Sequence, residues 1–384
     1  MEIEIPLFPL KKIGRIVKRE IRLEPNGEYK TVGCKLYGLG VYERETKGGS
    51  DIQAKRMFSI KENDFLVNRI WAQKGSAGVV PLELDGAVVT NDFPVIELDL
   101  ACVYPSYISW YVKTRKFWEA CRKHSHGTSG RERLSPKELP NIEIPLPDIE
   151  EQKRIVARIE SLMAKIEEVR RLRAEAVKDA ESLVVSARHN LIYLKKANKL
   201  KNLMFDKAIG KLRGPKPGLP QKEYKSSGKF PVVDQGKNYI GGYTDDESRV
   251  FKVTEPVIVW GDHTTNSKLI DFDFVPGADG TKIFSPKGGL IAGYVNHFLK
   301  TVNYPELGYS RHYRYLKNLQ IPLCSLPEQR RIVSHLDSLQ AKVDELKGLQ
   351  AETEKELEEL VPSILDKAFK GELCVFSDKP SILL

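Results

Sequence analysis

Two polar turns carry the side chains best suited to chemistry. Asn68, Arg69 and Lys74 lie in DFLVNRIWAQKGSAG, which starts at Asp64; His263, Thr264, Thr265, Asn266 and Lys268 lie in EPVIVWGDHTTNSK, which starts at Glu255. Each segment reads as a short apolar strand running into a polar turn. Arg and Lys present donors that match the guanine edge, and Asn matches adenine, so such turns can read bases in a major groove. Two further clusters, His124, Ser125, Thr128, Ser129 and Arg131, then Tyr309, Arg311, His312 and Arg314, could hold phosphates or touch bases. Any one of these is an ordinary polar loop residue. The interest lies in the same arrangement occurring twice.

Reactive motifs are missing around them. There is no GxxxxGK[ST] phosphate loop, GxGxxG, HExxH or GxSxG. Nor is there an NPP[FY] or DPP[FY] tetrapeptide of the sort amino-methyltransferases use. Pro147, Asp148, Glu151 and Lys153 superficially match a nuclease PD…ExK. Those acids would have to come from neighbouring strands around a metal, whereas here they sit at one helix start, and the repeat described next has Cys324, Ser325, Glu328 and Arg330 in their places. Asp148 reads instead as a helix cap. The expectation is a chain with no catalytic residue and no metal site.

What must position the turns is a repeat. NIEIPLPDIEEQKRIVARIESLMAKIEEV from Asn141 recurs 177 residues later as NLQIPLCSLPEQRRIVSHLDSLQAKVDEL from Asn318. Asp148 with Glu151, and Ser325 with Glu328, form capping-box pairs, and Pro327 is tolerated in a first helical turn. Apolar residues follow at alternating spacings of four and three: Ile155, Ile159, Leu162, Ile166, Val169, then Ala176, Ala180, Leu183. The second copy supplies Ile332, Leu336, Leu339, Val343, Leu346, then Leu357, Leu360, Ile364. These are coiled-coil seams, interrupted at matching positions by Arg173 and Gln350. Equal length and phase predict that the two helices pack on each other as an antiparallel pair about an approximate two-fold axis. Pro362 stands where the first arm has Val185, which predicts a kink and divergence of the arms near their ends.

The chain therefore divides into a first head (1–140), a first helical spacer (141–199), a second head (200–317), and a second spacer with its tail (318–384). Short β-like runs at Val79–Pro81, Val95–Leu98, Val232–Val233 and Val257–Trp260, and a helix from about Pro105 to Arg122, make each head mixed α/β. The 61 Lys+Arg against 52 Asp+Glu, net +9, mildly favour a polyanionic partner. Basic residues concentrate from Lys113 to Arg133 and from Lys195 to Lys216, and acids from Asp344 to Glu359. Five scattered cysteines without a CxxC pair point to a reducing compartment. No run approaches the ~18 apolar residues of a membrane span, and MEIEIPLFPLKK lacks the order of a signal peptide. A cytoplasmic protein is expected.

IPLPDIEEQKRIVARIESLMAKIEEV and IPLCSLPEQRRIVSHLDSLQAKVDEL resemble the paired conserved regions of type I restriction–modification specificity subunits. SILDKAFKGEL, Ser363 to Leu373, is similar to the usual close of the second region, and VTNDFPVIELD, Val89 to Asp99, to a stretch of the first head. In the heads the resemblance is mainly one of layout. It implies two target recognition domains, each reading one half of a bipartite, asymmetric DNA site. The arms would pair, space the heads and dock two methyltransferase subunits, with restriction subunits joining them. The chain itself would be non-catalytic and hold no cofactor. S-adenosylmethionine would sit on the methyltransferase, and ATP and Mg on the restriction subunit. The competing reading is a coiled-coil scaffold whose heads bind proteins rather than DNA; it leaves the basic clusters without a task.

Overall fold

The computed structural model describes residues 5–54, 56–127, 132–193, 201–305 and 310–375. It contains two compact units, one formed by residues 1–171 and 351–384, the other by 172–350. Each unit comprises one head, half of the first arm and half of the second.

Both arms are single helices. The first runs Ile149–Tyr193 (45 residues) and the second Leu326–Ala368 (43 residues), so their starts keep the repeat offset of 177. The first starts where Asp148 Oδ1 accepts the Glu151 amide at 2.8 Å, the cap that its sequence implies. The second passes through Pro362 without ending, and its hydrogen bonds continue beyond Ala368 with Phe369 N–H donating to Leu365. Pro362 is exposed, so the carbonyl it leaves without an intrahelical donor faces water. The second helix ends two residues short of the repeat equivalent of Tyr193.

Within each unit the arm halves run antiparallel. In the first, Ile155, Val156 and Ile159 share a core with Leu365, Ala368 and Phe369, and Arg170 pairs with Glu354 at 3.0 Å. In the second, Ile192 shares a core with Ile332 and Leu336. There Gln350 Nε2 donates to the Arg173 carbonyl at 3.2 Å, and the Arg173 guanidinium donates back to the Gln350 carbonyl. Those two residues are repeat equivalents, so the polar interruptions of the seam meet each other.

The seam itself departs from the strict heptad pattern. Ile155, Ile159, Ile166, Ile332, Leu336 and Val343 are buried, while Leu162, Leu339 and Leu346 are half-buried. Val169, however, is 41% exposed, and beyond the centre Val177 and Val184 face inward where Ala176 and Leu183 were expected. In the second arm Val361 and Leu365 likewise replace Leu360 and Ile364 as the better-buried positions. An α-helix turns every 3.6 residues, so a 3.5-residue stripe drifts round it. A four-residue step, Ile166 to Arg170 to Arg173, restores contact.

Each head contains a four-stranded antiparallel sheet of its own. In the first, antiparallel strands run in the spatial order Gly14–Val17, Val95–Leu98, Asp64–Val67, Ala77–Val79. In the second the order is Ile209–Leu212, Thr281–Pro286, Val257–Gly261, Ser267–Ile270. A β-ribbon leads into each arm, Leu7–Pro9 with Glu143–Pro145 and Lys201–Met204 with Gln320–Leu323. The anticipated helix near Pro105 is two helices, Pro105–Tyr111 and Arg115–Lys123, because the Thr114 hydroxyl accepts the Phe117 amide and starts a new one. The second head has Ala292–Leu299 in the place of Pro105–Tyr111. Beyond this shared frame the heads differ. The first adds a five-stranded sheet that includes Glu28–Cys34 and Val41–Gly48; the second adds three strands around Phe230–Val233.

A buried glutamine mounts each head on its arm. Gln152 Nε2 donates to the carbonyls of Cys102 and Pro147 at 3.0 and 2.9 Å, and its Oε1 accepts the Tyr104 amide at 2.9 Å. Its repeat equivalent Gln329 donates to Gly289 and Cys324 at 2.8 and 2.9 Å and accepts the Ile291 amide at 3.0 Å. Tyr107 and Tyr294 hydroxyls reinforce the mount by donating to Pro145 and Pro322, both at 2.9 Å. Replacing either glutamine with alanine removes three hydrogen bonds from a part-buried junction and takes from the Tyr104 or Ile291 amide the acceptor it uses. Gln152→Ala or Gln329→Ala is expected to lower the stability of its own unit by about 2–4 kcal/mol. Hydrogen exchange should quicken at the Tyr104 amide in the first variant and at Ile291 in the second, with Lys153→Ala as the silent control.

Candidate nucleic-acid interface

In each head the turn after the central strand meets the segment that precedes the arm. In the first head the Leu134 amide donates to the Arg69 carbonyl at 2.8 Å. In the second the His312 amide donates to the Asp262 carbonyl, also at 2.8 Å. Two clusters far apart in sequence thus become one surface in each head.

The first turn is held from its backbone. Asn68 N–H donates to Ser76, Arg69 N–H donates to Asp92, and Asn68 Oδ1 accepts the Ile70 amide at 3.1 Å. Gly75 closes it with φ of 71°, and a Cβ there would lie 2.2 Å from Trp118 Nε1. Lys74 is exposed, its ammonium 4.8 Å from the centre of the Trp71 ring, which is itself 43% exposed. Asn68, Trp71 and Lys74 line a hollow of about 480 Å³ together with Lys35, Tyr42 and Arg44. Cations beside exposed aromatic faces suit stacked bases and phosphates alike. His124 lies apart from this hollow, 3.5 Å from Glu138. Thr128, Ser129 and Arg131 fall outside the described residues, as does Tyr309.

The second turn is tighter. Thr264 Oγ1 and Asn266 Nδ2 both donate to the Gln235 carbonyl, at 2.5 and 3.0 Å, and the His263 amide donates to Gln235 Oε1 at 3.3 Å. Lys268 is 6% exposed, and its ammonium donates to the Asp234 carbonyl at 2.8 Å. Burial pushes its pKa down. His312 is 4% exposed, with one ring nitrogen 3.1 Å from the Asp262 carbonyl and the other 3.2 Å from that of Pro305. The structure therefore places Lys268 and His312 beneath the turn as supports, while Arg311 and Arg314 are exposed.

Asp262 ties the parts together. Its carboxylate accepts the Tyr313 amide at 2.8 Å and lies 3.1 Å from the Lys282 ammonium. Burial alone would raise its pKa, but the amide and the ammonium outweigh that and hold it below the ordinary carboxylate value. Around it Lys211, Lys282, Arg311, Arg314 and Lys317 line a hollow of about 490 Å³ with Tyr313.

Residues 7–176 match the family described as "Type I restriction modification DNA specificity domain". The specificity subunit of the Escherichia coli type I restriction enzyme EcoR124I/EcoR124II is 30% identical over 138 residues, 33% of this chain and 34% of that protein. The matched stretch thus spans about a third of the curated relative. Similarity of fold reaches further. The HsdS subunit from Thermoanaerobacter tengcongensis superposes with a TM-score of 0.62 at 26% identity, covering 96% of this chain and 97% of that one. A chain from a structure described as explaining complex assembly and conformational transition of the type I R-M system gives a TM-score of 0.67 at 25% identity, over 96% and 98%. Residues 7–176 thus carry a type I restriction–modification DNA specificity domain, and the chain shares its fold with an HsdS subunit. The family match covers the first head and the start of its arm; over the second head the likeness is one of fold.

Sequence reasoning missed Gln152 and Gln329, although an uncharged polar residue kept at the same repeat offset, amid charged neighbours, was a usable signal. It also missed Lys211, Lys282 and Lys317, which lie on different elements and converge only in the fold. Asp262→Ala should lower the stability of the second unit by about 2–3 kcal/mol at neutral pH through the stranded Tyr313 amide. Because the folded carboxyl is held low, its contribution is complete above the unfolded pKa near ~3.9 and fades as pH falls through the folded value. Thermal melts across an acid series should therefore show the variant and parent converging below about pH 4.

Proposed function

We propose that this chain is the non-catalytic DNA-specificity subunit of a type I restriction–modification complex, each head reading one half of a bipartite, asymmetric sequence. The observation that carries this reading is the doubled arrangement. The same four-strand sheet holds a polar turn against a basic segment in each unit, mounted on an arm by the same glutamine bonds. The turns differ in length and residues, so the half-sites they read differ. Asn68, Arg69 and Lys74 in the first head, and His263, Thr264 and Asn266 in the second, lie on the surfaces proposed to meet base edges. Lys268 and His312 act by holding the second turn in shape. His124 and Arg131 are proposed phosphate contacts.

The arms are proposed to set the spacing of the two half-sites and to dock partners. A 45-residue helix is about 68 Å long, against ~34–36 Å between successive major grooves. Leu172 and Leu183 are exposed on the first arm, and their repeat equivalents Leu349 and Leu360 on the second. Eleven residues are close to three helical turns, so each pair shares a face. Equivalent apolar stripes on both arms suit two copies of one partner, here a methyltransferase subunit. Restriction subunits would join that assembly. S-adenosylmethionine would be held by the methyltransferase and ATP with Mg by the restriction subunit, in the cytoplasm. Among the described residues no helix is long and apolar enough to cross a membrane.

Selection of duplexes from a random pool by the chain co-purified with its methyltransferase should return a split motif with a fixed spacer. Co-purification without enrichment would leave the arms as a docking scaffold and remove the claim that the heads read DNA. Exchanging the second head should change one half-site only. Inserting one heptad into both arms adds ~10.5 Å, which at ~3.4 Å per base pair should lengthen the selected spacer by about three base pairs. An unchanged spacer would show that the arms are not the ruler.

A further inference from the structure

The hollow of the second head is built from residues that nothing in the sequence groups together. Lys211 comes from the strand Ile209–Leu212, Lys282 from Thr281–Pro286, and Arg311, Arg314 and Lys317 from the segment before the second arm. Asp262 is the one acid among the described lining residues, and it is already committed to the Tyr313 amide and to Lys282. That leaves a surplus of cations around one concavity. The ammonium groups of Lys211 and Lys317 lie 5.2 and 5.7 Å from the centre of the Tyr313 ring on its floor. Partial burial, then the neighbouring Lys282, pushes the Lys211 pKa down.

Among the described residues the first head has no counterpart at the positions of Lys211 and Lys282. Strand register places Ile16 opposite Ile96, as Lys211 lies opposite Phe284, and the Val67 amide donates to Pro94 where Trp260 pairs with Lys282. The positions equivalent to Lys211 and Lys282 are thus Ile16 and Pro94, neither of which can hold an anion. Arg69 stands where the second head has Asp262.

Resting on the reading that the heads bind DNA, we propose that this hollow is a phosphodiester clamp peculiar to the second head: it grips the duplex backbone beside the turn at 263–266 and carries no sequence preference itself. Flexible ammonium groups on a concave wall suit phosphate as point charges. The turn beside it, pinned by Gln235, presents a defined edge to the bases. The clamp would supply affinity and salt dependence, and the turn would supply discrimination.

The test uses the full chain with its methyltransferase, comparing the parent with a Lys211→Gln, Arg311→Gln, Lys317→Gln triple variant. These three are exposed, and Lys282 and Asp262 stay in place, so an unchanged melting temperature is the folding control. Probes are a random-sequence 30-base-pair duplex titrated between 50 and 200 mM salt, and a randomised pool for selection. Expected results are about a tenfold loss of affinity at low salt, a salt slope shallower by about 0.9 for each phosphate no longer neutralised, and an unchanged selected motif. An unchanged affinity and slope in the variant would overturn the clamp while leaving DNA reading intact. A changed motif would show that the hollow reads bases, which also overturns it. A parent that binds neither probe would overturn the underlying reading and the clamp with it.

Discussion

Arg173 and Gln350 occupy the same position in the two copies of the repeat and hydrogen-bond to each other's backbone. A residue can meet its own repeat equivalent only where two antiparallel helices cross a local two-fold axis. A slip of one residue would separate the pair and strand polar groups at the seam. Apolar stripes alone fix register weakly, because leucine against valine tolerates neighbouring alignments. A polar pair that satisfies itself in one alignment only is a stronger constraint. The four-residue step at Arg170 and Arg173 belongs to the same point, since it brings the apolar stripe back to the partner helix.

The glutamines extend this constraint to the heads. Gln152 and Gln329 use both ends of one amide, donating twice and accepting once, to join an arm to a head loop. A neutral amide does this without the desolvation of a buried charge. The mount touches backbone atoms of the head, so head side chains can change freely while the attachment stays. That separation accounts for two heads with a common sheet walk and different additions: a five-stranded sheet in one, three strands in the other.

Charge is distributed differently on the two heads. The first combines Lys35, Arg44 and Lys74 with exposed Tyr42 and Trp71. The second gathers five cations around Tyr313. Asp262 and Lys268 show how such surfaces are kept in shape. Each is a charged group buried beneath a polar turn, hydrogen-bonded to backbone and set beside an opposite charge (Lys282 and Asp234), so the turn above it has a fixed outline.

The sequence by itself determined the two arms, their helix starts, the Asp148 cap and the resemblance to type I specificity subunits. These depend on local signals, namely repeat spacing, capping residues and apolar period, which survive without knowledge of distant contacts. It also marked both polar turns, since a strand followed by polar residues is a short-range pattern. Only the tertiary structure decided which side chains of those turns are presented. Lys268 and His312 look like exposed cations in sequence, yet they lie under the surface because Asp234 and Asp262 reach them from elements 34 and 50 residues away. Val169 and Leu183 follow the heptad but face outward, because a rotation of a few degrees per turn accumulates over a long helix. Lys211, Lys282 and Lys317 became a single site for the same reason that they were illegible: strand register and the docking of the 310–317 segment bring them together, and neither is a property of any one stretch of chain.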